Sequence, residues 1–282
     1  MQEQPQTVLF LHIPKAAGTT LTQILDRQYS TQEILPSYKN SKPRFDKLSS
    51  LSTPEKYQIK LIRGHFPFGV HEMLPQHSTY ITMLRDPIKR VISNYYFAKK
   101  TPSHRLYETI NQEGMSLEEY ITSEINPQLN NGQVRLISGN TDVAYGKCTN
   151  EILEKAKHNL KTYFSVVGTV ENFDRTLIAL REILGYKNIC YTKANTNQSN
   201  KSNHIDNKLI NLIKNYNILD IELYNYAIEL QEEIFNHVRV DNKLVKFQRI
   251  NMLYSWYEYF RTYLNSTLNV SRKALKKMQL SQ

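Results

Sequence analysis

Short apolar runs alternate along this chain with segments whose apolar residues recur every three or four positions. Val8–Ile13 is a run of β-branched and aromatic character, followed by a small-residue turn and by Thr20–Gln28, where Leu21, Ile24 and Leu25 share a helical face. Lys60–Ile62 and Tyr80–Leu84 are further strand candidates. Pro87–Phe97 reads as a helix with Asp86 as N-cap and Pro87 at its first position. Phe164–Val170 predicts a strand, and Phe173–Leu184 a helix with apolar residues at 173, 177, 180 and 184. Ile189–Tyr191 predicts a final strand and Leu209–His237 a long helical region, while the polar stretches 36–56 and 193–207 read as loops. No internal repeat is visible. Strands alternating with helices predict an α/β, three-layer architecture around a mainly parallel sheet.

Composition agrees with a globular chain: 40% of the 282 residues are hydrophobic and 22% charged, which excludes a disordered or collagen-like protein. The formal charge of +10 points to an anionic partner. That surplus is uneven, because residues 240–282 carry 8 basic and 2 acidic side chains against 28 and 24 in residues 1–239. The chain therefore divides into a domain at 1–239 and a basic amphipathic helical extension at 240–282. In the extension Leu253, Trp256, Tyr257, Phe260, Tyr263 and Leu264 repeat at helical spacing. Two expectations follow: a helix that docks its aromatic face on the domain, or a basic surface helix that meets a membrane or polyanion. Two cysteines, Cys148 and Cys190, are too few for a disulfide framework and lack metal spacing, although a single bridge between them stays open. With no apolar stretch of about 18 residues and no signal-peptide core, the expected location is cytoplasmic, with peripheral membrane contact open to the extension.

The most informative segment is Phe10-Leu11-His12-Ile13-Pro14-Lys15-Ala16-Ala17-Gly18-Thr19-Thr20. A strand feeding a small-residue turn that opens a helix aims unpaired amides and the positive helix end at whatever lies in front. Ala16, Ala17 and Gly18 leave room for close approach, Thr19 and Thr20 add hydroxyls, and Lys15 adds a cation, so an anion such as phosphate is expected at this turn. A nucleoside-triphosphatase loop of the form G-x-x-x-x-G-K-[ST] is not encoded, since Lys15 comes three residues before Gly18 and the first glycine is absent. His12 is expected to pack behind the turn.

A second segment, Arg85-Asp86-Pro87-Ile88-Lys89-Arg90-Val91-Ile92-Ser93-Asn94-Tyr95-Tyr96, puts Arg85 at a strand's carboxyl end and Ser93 about two turns into the helix. An Arg fork and a hydroxyl suit a second phosphate; the alternative reads Arg85 and Arg90 as surface charges. Together the two segments resemble the family 2 sulfotransferases, of the heparan sulfate 2-O-sulfotransferase type. Asn131–Gly139, Val167–Phe173 and Asn217–Tyr224 are similar to later stretches of that family, so the resemblance covers about 8–237.

The resemblance implies a P-loop NTPase-like sulfotransferase fold and 3′-phosphoadenosine-5′-phosphosulfate (PAPS) as donor; a sulfuryl group carries one negative charge, less than a terminal phosphoryl, so no metal is expected to be required. It implies that Lys15, Ala17, Gly18, Thr19 and Thr20 hold the 5′-phosphosulfate and Arg85 and Ser93 the 3′-phosphate. Asn195 and Lys201 belong to a polar loop comparable to one that covers the nucleotide. The acceptor implied is a hydroxyl, on a carbohydrate, with Arg135 and His71 as candidate acceptor contacts.

An alcohol needs a base as sulfuryl transfer proceeds. His65, in the Gly-His pair after the strand candidate at 60–62, matches the family's catalytic histidine, with Glu72 as the alternative base and Lys15 as the group that stabilises the bridging oxygen. Two other function classes stand beside this one: an ATP/Mg²⁺-dependent phosphotransferase with Asp86 as a metal ligand, and a non-catalytic basic module for nucleic acid or another polyanion. Nucleic acid is not the expected partner, since most of the surplus charge lies outside the domain.

Overall fold

The computed structural model describes residues 7–37, 43–192 and 206–279, with side chains through residue 265. The loop candidates Asn195 and Lys201 lie outside the described residues. Among the described residues four strands form one wholly parallel sheet in the order β2-β1-β3-β4: β1 (Thr7–Leu11), β2 (Leu61–Gly64), β3 (Ser78–Leu84) and β4 (Phe164–Thr169). Twelve described α-helices surround it: α1 (Gly18–Asp26), α2 (Phe45–Ser50), α3 (Thr53–Gln58), α4 (Pro87–Lys100), α5 (Tyr107–Gln112), α6 (Leu117–Thr122), α7 (Gly132–Ser138), α8 (Asn150–Tyr163), α9 (Phe173–Leu184), α10 (Asn207–Tyr216), α11 (Ile218–His237) and α12 (Asp241–Gln279). All five residues of β1 are buried, so both faces of the sheet are covered, as parallel strands require.

β2 lies on one side of β1 and β3 on the other, with Leu11 level with Gly64 and with Thr82. The chain thus leaves β1 in both directions, which opens a crevice outside the carboxyl ends of the strands. A second apolar cluster, around Val91, Tyr95, Ile110, Tyr120 and Ile213, holds α4, α5, α6 and α10 together beside the sheet.

The expected strands at 8–13, 60–62, 80–84 and 164–170 form with small shifts of their ends, and the helix at 173–184 forms as expected. Ile189–Tyr191 does not pair as a strand. Side chains take its backbone groups instead: Arg27 donates to the Cys190 carbonyl, and the Tyr191 amide donates to Asn251. The helical region at 209–237 is broken at Asn217, whose amide group donates to the carbonyls of Leu129 and Ile213. The stretch 36–56, expected to be loop, includes α2 and the start of α3. Both cysteines are free thiols.

The aromatic stripe of the extension does not dock on the domain. α12 packs through its first turns, where Phe247 is 3% exposed, whereas Leu253, Trp256, Tyr257, Phe260, Tyr263 and Leu264 all stay exposed. No described helix is long and apolar enough to cross a membrane.

Candidate active site

Three of the candidate residues stand at equivalent places. His12, His65 and Arg85 are each the first residue past the end of β1, β2 and β3, so the parallel sheet delivers them to one edge. Each then departs into a turn with its own physical reason.

After His12 the chain makes a tight loop in which Lys15 (φ 70°) and Ala17 (φ 56°) both take the left-handed conformation. Neither is glycine, and such residues are held there only when the surroundings over-determine them. Ala17 is the N-cap of α1, so the loop and the first turn of that helix present their amides together. Two of the small residues serve packing. Ala16 is fully buried, and a Cβ on Gly18 would come within 1.6 Å of His12 Nε2. His12 therefore lies behind the turn, as expected, and its ring occupies the space that glycine leaves.

Lys15 and Arg85 are brought together. The Arg85 guanidinium donates to the Lys15 carbonyl at 3.0 Å, and the Lys15 ammonium sits 3.7 Å from the centre of the Phe97 ring. Burial, and secondarily the Arg85 charge, lower Lys15 to about 8. Burial likewise lowers Arg85. Arg85 Nε is buried without a partner among the described residues. Two half-desolvated cations side by side, one with an unmet donor, form a site that an anion would relieve.

Phe97 and Ser93 are one turn apart on α4, so Ser93 shares the helix face that reaches Lys15. Asp86 caps this helix by accepting from the Lys89 amide at 2.9 Å, as its sequence position suggests. Arg90 is fully buried and is no surface charge: it pairs with Asp220 at 3.2 Å and donates to the Gln128 carbonyl.

His65 is fixed from behind. Its Nδ1 lies 2.8 Å from the His12 carbonyl, and its ring stacks on that of His12 at 4.2 Å. A carbonyl can only accept, so Nδ1 carries the proton and Nε2 of the neutral ring carries the lone pair. Burial lowers the His65 pKa, which keeps the ring in that neutral form.

Sequence reasoning missed Gln133. Its side chain accepts from the Arg85 amide and donates to the Arg85 carbonyl, both at 3.0 Å, a two-point clasp on the backbone that aims the guanidinium. The clasp is anchored by Asp220, which accepts from the Gln133 and Val134 amides.

Two expected acceptor contacts are corrected. Arg135 is 1% exposed, and its guanidinium donates to the carbonyls of Asn130, Val143 and Ala144, so it ties the 130–144 segment together and has no surface to offer. His71 bonds the Tyr80 hydroxyl at 3.0 Å and packs on Phe68 and Tyr163. Tyr80 is level with Leu9 and with the first residue of β4, four residues before the end of β3, so this aromatic cluster lies toward the opposite end of the sheet from the crevice. Exposed Glu72 stands beside His71 and Tyr80, in that same cluster.

The chain is similar to known sulfotransferases. The chain is 28% identical over 199 residues to human heparan-sulfate 6-O-sulfotransferase 1, covering 58% of this chain and 46% of the relative. It is 21% identical over 276 residues to galactosylceramide sulfotransferase of Bos taurus, covering 86% and 62%. With protein-tyrosine sulfotransferase of Arabidopsis thaliana it shares 33% identity over 93 residues, or 32% and 17% of the two chains. It thus spans less than two thirds of each of these relatives. A family model described as the sulfotransferase family matches residues 1–227, a span that takes in the loop after β1, Arg85 and His65, and the chain belongs to that family.

Proposed function

We propose that this chain transfers a sulfuryl group from PAPS to a hydroxyl of a carbohydrate acceptor, with His65 as general base. The observation that carries this reading is the convergence of Lys15, Arg85 and the Nε2-basic tautomer of His65 at one edge of the sheet. The residues fit a nucleotide with phosphate at both ends: the loop amides, Lys15, Thr19 and Thr20 for the 5′ side, Arg85 and Ser93 for the 3′ side. When bound, the donor supplies an activated sulfur–oxygen bond. The protein's part is positioning and charge. His65 Nε2 takes the proton as the acceptor oxygen bonds to sulfur, and Lys15 neutralises the phosphate oxygen from which sulfur departs. The heparan-sulfate and galactosylceramide enzymes among the relatives support a sugar hydroxyl as acceptor.

The transfer chemistry is assigned to 1–239, and the extension from 240 to a separate contact with an anionic partner. A cytoplasmic setting is kept as part of this reading.

The test is thermal stabilisation by adenosine 3′,5′-bisphosphate with EDTA present, lost in Arg85→Ala, together with transfer of labelled sulfuryl to a panel of glycans. Stabilisation by ATP with Mg²⁺ but not by the bisphosphate would replace this reading with phosphoryl transfer.

A further inference from the structure

We infer that α12 binds the surface of an anionic lipid bilayer through the face it turns away from the domain. The helix has two opposed faces. Phe247, Asn251, Tyr254 and Ser255 pack inward: the Phe247 ring is in the core, Asn251 accepts from the Tyr191 amide at 2.7 Å, and Ser255 donates to the Tyr191 carbonyl. Arg27 donates to the Tyr254 hydroxyl at 3.0 Å, which pins the same face to the domain beside α1.

Leu253, Trp256, Tyr257, Phe260 and Leu264 follow the other spacing, i, i+3, i+4, i+7, i+11, and form a single outward stripe. Leu253 is 66%, Trp256 62% and Phe260 52% exposed, a continuous aromatic and aliphatic surface that a soluble domain does not ordinarily leave in water.

Charge selects the occupant. From residue 242 onward the chain has eight cationic residues and a single acidic one, Glu258, which is paired with Arg261 at 2.6 Å. Lys246 and Arg249 are exposed on the approach to the stripe, and the sequence beyond it continues with Arg272, Lys273, Lys276 and Lys277. A second copy of the helix would bring the same surplus against itself. A purely polyanionic partner would leave the apolar stripe uncovered. The boundary of an anionic bilayer takes both at once: rings and aliphatic chains enter the acyl edge while Lys and Arg reach the headgroups. The helix lies on the membrane and does not span it.

This narrows the anionic partner assigned to the extension and rests on that assignment alone, independent of the transfer chemistry. Trp256 is the chain's only tryptophan, so its emission reports the event directly. With vesicles of phosphatidylcholine and phosphatidylserine, the emission of the full chain is expected to shift to the blue and the protein to sediment with the lipid. Phosphatidylcholine alone should do neither. A Leu253→Ser/Phe260→Ser/Leu264→Ser variant retains Trp256 and should bind on the order of tenfold or more weakly. Its melting temperature and its stabilisation by adenosine 3′,5′-bisphosphate should match the parent, which separates this inference from the nucleotide reading. Unchanged emission with anionic vesicles overturns the inference. So does a blue shift that rises with protein concentration without lipid, or vesicle binding equal in variant and parent.

Discussion

The Nδ1 proton of His65 is donated to the main-chain carbonyl of His12, 2.8 Å away, so the residue past β2 is oriented by the residue past β1. A main-chain acceptor cannot be removed by substitution at position 12, which makes the tautomer a property of the sheet. Replacing His65 by Ala should lower kcat by about 10²–10⁴. Affinity for adenosine 3′,5′-bisphosphate should change little. Because burial holds the pKa of His65 below its usual value, the acid limb of kcat/KM should fall below pH 6.5, with the base mostly neutral at pH 7. An acid limb at or above 6.5, or an active His65→Ala enzyme, would remove His65 from the role.

Lys15, at about 8, titrates within reach of ordinary buffers. An anion bound beside it raises that value, so the free protein loses the proton first as pH rises. Nucleotide affinity should therefore be level up to about pH 8 and then drop by as much as roughly tenfold per pH unit. Calorimetric titration from pH 7.5 to about 9.5 measures this, and Lys15→Arg, charged throughout, should flatten the profile.

His12 and Gly18 occupy complementary volumes, and this predicts a coupled pair. Gly18→Ala alone should destabilise by about 1–3 kcal/mol, because its methyl would enter the His12 ring. In a His12→Ala background most of that cost should disappear, a non-additivity readable from a denaturant cycle. The same ring predicts acid sensitivity. Burial, with the His65 and Lys15 charges, lowers His12 to about 3, so the unfolded chain binds the extra proton between pH 3 and 6.5. This contribution is present above 6.5 and is lost as pH falls toward 3, at up to about 1.4 kcal/mol per pH unit. His12→Ala should show a shallower decline.

Gln133 and Arg135 are two residues apart and should fail in different assays. Gln133→Met leaves both backbone groups of Arg85 unpaired and should weaken bisphosphate binding by on the order of tenfold. Arg135→Met releases the three carbonyls that tie the 130–144 segment together and should lower the melting temperature with the affinity of the folded protein unchanged. Equal loss of affinity in the two variants would contradict the division between an aiming residue and a segment tie.

What could be read from the sequence were features whose cause is local. Pro87 with Asp86 before it, the apolar run of β1 and the periodicity of α9 all follow from a few adjacent residues. Ser52 and Glu55 also formed a readable local signal for α3, since the Ser52 amide and hydroxyl both donate to the Glu55 carboxylate, yet the polar composition around them suggested loop. What stayed hidden depends on partners distant in the chain. Arg135 looks like an acceptor contact until the 143–144 carbonyls fold over it. His71 looks like a site histidine until Tyr80 and Tyr163 close on it. Gln133 gains a role only because α7 begins beside the end of β3. The aromatic stripe of α12 is periodic either way, and only the opposite placement of Phe247 shows which face the domain uses.

That His12, His65 and Arg85 each stand one residue past a strand end restricts how this molecule can change. Lengthening or shortening β1, β2 or β3 by one residue would move the group by about 3.3 Å and turn it to the other face of the sheet. The registers of Leu11 with Gly64 and Thr82 thus act as a shared ruler. Insertions and deletions among descendants of this chain should accumulate in the connections that leave these positions and spare the strands. Acceptor preference can then diverge while the transfer geometry stays constant.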